Sequence, residues 1–330
     1  MAKKQNAYLC LSAMLRAREP RMLSVERAQR MLDMPAFEDA AKLLTDCGYP
    51  DMTDCKADEI DRLLAARRDA IWNEMESLAP DKAIVTAFRV KYDYHNVKSI
   101  LKGEAMGSAY EHLLTGTGRV SGETLLNAYR EGHYSELPGS LGKAMQEAQS
   151  VLARTGNPQL ADLVLDESCY EEMKQAAREA GCPFLDGYVR LLIDSTNLKS
   201  AVRTLRMRKG ADFMHSVLLK GGNVPADRLS EVTDGETLEA LFSSGKLAQA
   251  AALGASCVQG GRMTAFERAC DNAIAAYLRE AKLIGYGPEV LAAYLAATEG
   301  ELTAVRMILT GYLAGVPADT IRERLRDLYA

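Results

Sequence analysis

Alternating β-branched runs are nearly absent from this chain of 330 residues, and no uninterrupted apolar stretch approaches the roughly 20 residues needed to cross a bilayer. Sheet-based and membrane-spanning folds are therefore poor fits. No N-terminal stretch joins a charged head to a long apolar core, so no secretory leader is expected and the expected compartment is the cytoplasm. Seven cysteines, at 10, 47, 55, 169, 182, 257 and 270, form no Cys-x-x-Cys pair, and His95, His112, His133 and His215 lie far from zinc-ligand spacing. Free thiols are expected, with no metal, disulfide or cofactor. Stacking residues are few, Trp72 is the only tryptophan, and the net charge is −5. Both features argue against nucleic-acid binding, which favours a basic balance.

Helix formers are what the chain has in abundance. Segments 23–32, 58–78, 123–131, 141–153, 171–180, 236–251, 265–284 and 288–313 are rich in Ala, Leu, Glu, Arg, Lys and Met, with glycine and proline as punctuation between them. Around 84–101 and 189–205 the apolar residues recur near helical spacing. The fold class is all-α.

One phrase is written twice. Arg-Val-Lys-Tyr-Asp-Tyr-His-Asn-Val-Lys-Ser-Ile-Leu-Lys at 89–102 returns about 101 residues later as Arg-Leu-Leu-Ile-Asp-Ser-Thr-Asn-Leu-Lys-Ser-Ala-Val-Arg at 190–203. Arg89/Arg190, Asp93/Asp194, Asn96/Asn197, Lys98/Lys199 and Ser99/Ser200 are identical, and Lys102 is matched by Arg203. The block Glu299-Gly-Glu-Leu-Thr-Ala-Val-Arg306 reads as a degenerate third copy, with Glu301 near the asparagine position and Arg306 supplying the charge. Asp162 and Asp166 precede the second copy as Glu267 and Asp271 precede the third. Gly118-Arg-Val120 is echoed by Gly222-Asn-Val224, and Val224-Pro-Ala-Asp227 by Val316-Pro-Ala-Asp319; the latter two are expected helix starts. A period of one third of the chain implies three similar helical modules, near 1–107, 108–210 and 211–330.

On a helix Asp93 and Asn96, like Asp194 and Asn197, stand three residues apart on one face. Such a pair either satisfies backbone groups where helices cross or lines a surface that faces a partner. Neither role is catalytic. Gly139-Ser-Leu-Gly142-Lys143-Ala144 lacks the spacing and hydroxyl of a phosphate loop, and Gly116-Thr-Gly118-Arg-Val-Ser-Gly122 has its last glycine one place late for a dinucleotide turn. Two sequence features point to competing functions, an enzyme and a helical-repeat nucleic-acid-binding module. Asp58/Asp61 and Asp162/Asp166 loosely resemble the paired carboxylates with which all-α diphosphate-processing enzymes hold magnesium. Lys199, Arg203, Arg206, Arg208 and Lys209 form a basic cluster of the kind that phosphate contacts require, although it also suits the negative end of a helix.

The Asp-Tyr-His-Asn-Val-Lys and Ile-Asp-Ser-Thr-Asn-Leu-Lys blocks, the segment Ala-Ala-Tyr-Leu-Ala-Ala-Thr-Glu-Gly-Glu-Leu-Thr-Ala-Val-Arg-Met-Ile-Leu and the tail Gly-Val-Pro-Ala-Asp-Thr-Ile-Arg-Glu-Arg-Leu resemble the C subunit of V/A-type ATP synthases, itself similar to the d subunit of vacuolar ATPases. The resemblance covers nearly the whole chain. It implies three helical modules around a pseudo-threefold axis, forming a funnel with a central hollow. It also implies a non-catalytic rotor subunit, monomeric when isolated, that seats the central shaft on the membrane rotor ring. Such a subunit would lie at the cytoplasmic face, with no small-molecule substrate and no nucleic acid. The chain departs from the family pattern at Thr298 and Glu301, where an Asp/Asn pair would stand, and in the Gly/Pro-rich region 132–157.

Overall fold

The structure, a computed structural model, describes residues 6–330, and all regular secondary structure among them is helical. Three short helices, α1 (Leu9–Arg18), α2 (Val25–Asp33) and α3 (Phe37–Lys42), lead into a long pair, α4 (Ala57–Leu78) and α5 (Ala83–Met106). Helices α6 (Gly122–Glu131) and α7 (Leu141–Thr155) precede a second long pair, α8 (Pro158–Ala180) and α9 (Pro183–Arg206). Four short helices follow: α10 (Ala211–Ser216), α11 (Ala226–Ser230), α12 (Gly235–Phe242) and α13 (Ala248–Val258). The third long pair is α14 (Met263–Arg279) and α15 (Pro288–Leu313), and α16 (Ala318–Arg324) comes last.

Local chemistry sets these boundaries. Proline opens α8, α9 and α15, where its missing N–H costs nothing. Ser24, Ser121, Asn157 and Asp234 accept a backbone N–H from the first turn of α2, α6, α8 and α12. The segment 236–251, expected as one helix, is broken between α12 and α13 by Ser243-Ser244-Gly245, residues that compete for the backbone or leave it loose. The segment 171–180 is only the end of α8, which Asn157-Pro158 starts far earlier. As expected, Val-Pro-Ala-Asp opens both α11 and α16; each proline stands at the N-cap.

The long helices pack in succession: α4 against α5, α5 against α8, α8 against α9, α9 against α14, α14 against α15, and α15 back against α4. Ascending numbers on α5 meet descending numbers on α8, since Lys98 pairs with Asp166 and Lys102 with Asp162; α9 and α14 are likewise antiparallel. Phe88 of α5 stacks on Tyr188 of α9 with ring centroids 5.9 Å apart. Helix α15 is the most enclosed: every residue from Val290 to Thr298 is buried, as expected of a helix apolar on all sides.

Three apolar clusters make up the core. The largest joins α5 to the N-terminal halves of α9 and α15 through Phe88, Leu185 and Leu291. A second holds the other half of α9 with α12, α13 and α14. The third unites the two ends of the chain, since Leu23–Leu64 residues such as Met31, Leu44 and Ile60 pack with Val305, Ile308 and Leu328. Truncating Ile308 to Ala should therefore cost about 2–5 kcal/mol. By hydrogen exchange the loss of protection should fall on residues 25–64 and spare 226–258; the opposite pattern would contradict the shared core.

Candidate functional site

Asp93, Asn96, Asp194 and Asn197 stand at the middle of α5 and α9, and most of their partners are backbone. Asp93 is fully buried; its Oδ1 accepts the N–H groups of Arg119 (2.7 Å) and Val120 (3.1 Å), and its Oδ2 receives Arg119 Nε at 2.5 Å. Asn96, on the same face, exchanges two hydrogen bonds with the Thr115 peptide, Nδ2 donating to its carbonyl and Oδ1 accepting its N–H, both at 2.9 Å. The second copy repeats this. Asp194 accepts the N–H groups of Asn223 and Val224 at 3.1 Å, and Asn197 holds both polar groups of Leu219 at 2.8 Å. A helix interior has no spare backbone groups for a loop that packs on it, so side chains must satisfy that loop.

The loops are shaped for the carboxylates. A β-carbon on Gly118 would come within 2.3 Å of Asp93 Oδ1, and one on Gly222 within 2.1 Å of Asp194 Oδ1. This explains the Gly-x-Val echo: glycine admits the carboxylate, and the valine N–H is what it grips. Burial pushes both carboxyls above the ordinary range, against the pull of the N–H donors and, for Asp93, of Arg119.

The third copy is shifted from its expected alignment. Glu301, buried, accepts the Leu23 N–H at 2.9 Å and the Tyr49 hydroxyl at 2.6 Å, with Arg67 3.8 Å away. Leu23 immediately precedes Ser24, the cap of α2, as Val120 precedes Ser121 of α6 and Val224 precedes Pro225 of α11. Glu301 thus plays the aspartate's part, not the asparagine's, and the Thr298 hydroxyl donates to the Tyr294 carbonyl of its own helix. Burial again raises the carboxyl, Tyr49, Leu23 and Arg67 opposing.

A basic residue follows each acid at the same distance of five residues. Lys98 pairs with Asp166 at 2.6 Å, Lys199 with Asp271 at 2.6 Å, and Arg306 with Asp61 through two bonds of 2.6 and 2.9 Å. Lys102–Asp162 and Arg203–Glu267, both 2.6 Å, add a second rung to the first two sets. Partly exposed pairs contribute little stability singly, but a ladder of them fixes register between antiparallel helices. The two identical arginines diverge. Arg89 is buried, donates to the Thr117 and Gly118 carbonyls and pairs with Glu76, whereas Arg190 stays on its own helix with Asp186. Glu299 meets Lys91 and the Tyr92 hydroxyl of α5, tying α15 to it.

Sequence reasoning missed Leu23, Tyr49 and Arg119. A signal existed for the first: Leu23-Ser24-Val25-Glu26 parallels Val120-Ser121-Gly122-Glu123. Three of the four carboxylates proposed as magnesium ligands are otherwise engaged, Asp61 by Arg306, Asp162 by Lys102 and Asp166 by Lys98. Among the described residues no group of three or more His, Cys, Asp or Glu is placed to hold a metal ion, and no helix is long and apolar enough to cross a membrane.

Recurrent carboxylate caps and ion-pair ladders define an architectural helical protein, one whose buried polar groups position its own backbone. The model of the ATP synthase (C/AC39) subunit family matches residues 11–324, and the chain belongs to that family, an accessory subunit that is not catalytic in itself. The C subunit of a V-type sodium ATPase from Enterococcus hirae is 24% identical over 98% of this chain and 99% of its own length. The C subunit of a V-type ATP synthase from Thermus thermophilus is 22% identical over 69% of this chain and 72% of its own. The C subunit of an A-type ATP synthase from Thermococcus onnurineus is 21% identical over 70% and 66%.

Replacing Asp93 or Asp194 by Ala should cost about 2–4 kcal/mol, because two partly buried N–H groups lose their acceptor at once. Gly118→Ala and Gly222→Ala should each cost about 1–3 kcal/mol through overpacking. Urea titrations followed by circular dichroism check both; a loss under about 0.5 kcal/mol, the size of an ordinary surface substitution, would show that the caps do not stabilise the fold.

Proposed function

We propose that this chain is the non-catalytic rotor subunit of a V/A-type rotary ATPase, a socket that couples the central shaft to the membrane rotor ring during ATP-linked proton or sodium transport. The observation that carries the reading is the threefold recurrence of one device: an acid on a long helix gripping the peptide before a helix start, then a basic residue five places on paired to the neighbouring long helix. Family membership supports it, and so do the three relatives, each named as the C subunit of an ATPase or ATP synthase.

The device also supports three modules about a pseudo-threefold axis, near 1–107, 108–210 and 211–330, with the first residues of the chain completing the third. The core shared by residues 23–64 and 302–328 favours that completion. Two residues before each acid stand Lys91, Leu192 and Glu299, all half-buried. Lys91, Leu192 and Tyr188 line one cavity, and Tyr188 with Glu299 lines another. A hollow at these positions would suit a shaft tip, and the outer ends of the long helices would serve as rims for the ring. The subunit would then work in the cytoplasm, attached to the membrane through its complex.

Co-expression with the central-shaft subunits and the membrane ring, followed by affinity purification, tests the reading. Both partners should be retained; a folded chain that captures neither defeats it.

A further inference from the structure

The turn that ends α9 departs from those that end α5 and α15. Fourteen residues after Asp93 stands Gly107, and fourteen after Glu301 stands Gly315, both left-handed with φ of 61° and 65°. Fourteen residues after Asp194 stands Arg208, at φ 54°, the one non-glycine residue with positive φ among those described. A β-carbon is disfavoured in that conformation and glycine holds it without strain, so the turn itself does not account for the arginine.

Its surroundings repeat the anomaly. Arg206 donates to the Gly261 carbonyl at 3.2 Å, which brings Arg262 beside the end of α9. Arg262 occupies the N-cap of α14, the positive end of that helix, where a short acceptor or an acid is favoured. Lys209 lies 5.9 Å from the centre of the Phe213 ring. Arg206, Arg208, Lys209 and Arg262 are all exposed, and among the described residues no carboxylate pairs with any of them; Arg203, one turn back, is paired with Glu267. Met207 stands exposed among them. The negative end of α9 explains a cation or two at its terminus, but not one at the opposite pole of α14.

We propose that this end of α9, with the turn before α14, is a docking surface for a carboxylate-rich protein segment of a rotor partner. Three of the four cations are arginines, one of them tethered through its hydrogen bond to Gly261, and planar guanidiniums match carboxylates with two bonds each. A lipid surface would need only mobile charge, and a chain of net charge −5 gains little from approaching an anionic membrane broadside. An acidic loop engages the patch within a screening length of about 8 Å, inside which the chain's other charges count less. A contact of fixed geometry away from the shaft resists slip, as torque transfer requires.

The proposal rests on the rotor reading, and its test separates the two. A photo-reactive residue in place of Met207, in the assembled complex, should cross-link to a rotor-subunit segment that carries several Asp or Glu residues. Arg208→Gly should unfold at the same or a slightly higher temperature, by about 1–2 °C, because strain is relieved. In contrast, Arg208→Gly combined with Arg262→Gln should weaken retention of the partner roughly tenfold at low salt, and less as salt rises. Failure of the wild-type complex to assemble overturns the rotor reading itself. Assembly with unchanged retention by the double variant, or a cross-link only to lipid, to nucleic acid or to nothing, overturns this surface alone. A fall in the thermal midpoint of Arg208→Gly shows the arginine to be structural and overturns it too.

Discussion

The grip of a buried carboxylate on the peptide just before a helix start is the constraint from which the architecture follows. A loop that packs against the side of a helix buries N–H groups that the helix backbone cannot satisfy, and an orphaned donor there costs on the order of 1–3 kcal/mol. Asp93 and Asp194 each remove two such costs at once, and Asn96 and Asn197 complete the adjoining peptide as a neighbouring strand would. Because the gripped peptide precedes a cap, the same contact sets where α6, α11 and α2 begin. Position on a long helix thereby becomes position of the short helices outside it.

The basic residue five places beyond each acid extends that control to the neighbouring long helix. Five residues on a helix turn the side chain well away from the acid, so one helix addresses its loop with one face and its antiparallel neighbour with another. Lys98, Lys199 and Arg306 meet Asp166, Asp271 and Asp61 in this way. None of these partly exposed pairs stabilises much singly. What they exclude is sliding of one long helix along another.

Much of this was legible in the sequence, and the failures have physical causes. The helix 288–313 was bounded to the residue, because Pro288 opens it and Gly315 follows its last turn. Segment 236–251 failed because Ser243-Ser244-Gly245 weighs little against a run of strong helix formers, yet it suffices to separate α12 from α13. The identity of Asp93, Asn96, Asp194 and Asn197 revealed duplicated construction but not its object, since Arg119, Val120 and Asn223 lie 26 to 29 residues away in loops with no periodicity. Arg89 and Arg190 are identical and yet do different things, so identity of type did not fix identity of contact.

The third copy was hardest to align because its loop is not downstream of it. Val120 lies 27 residues from Asp93 and Val224 30 from Asp194, whereas Leu23 lies 278 from Glu301. Closing a loop ten times longer costs roughly 2 kcal/mol more, as closure entropy grows with the logarithm of length. Side chains from several elements hold this junction. The glutamate, one methylene longer, takes the Tyr49 hydroxyl as well as the Leu23 N–H, Arg306 meets Asp61 with two bonds, and Tyr312 donates to the carbonyls of Met31 and Met34. The departure from the Asp/Asn pattern is thus what joining the chain's two ends demands, and the degenerate appearance of Glu299–Arg306 records a different covalent path to the same contact.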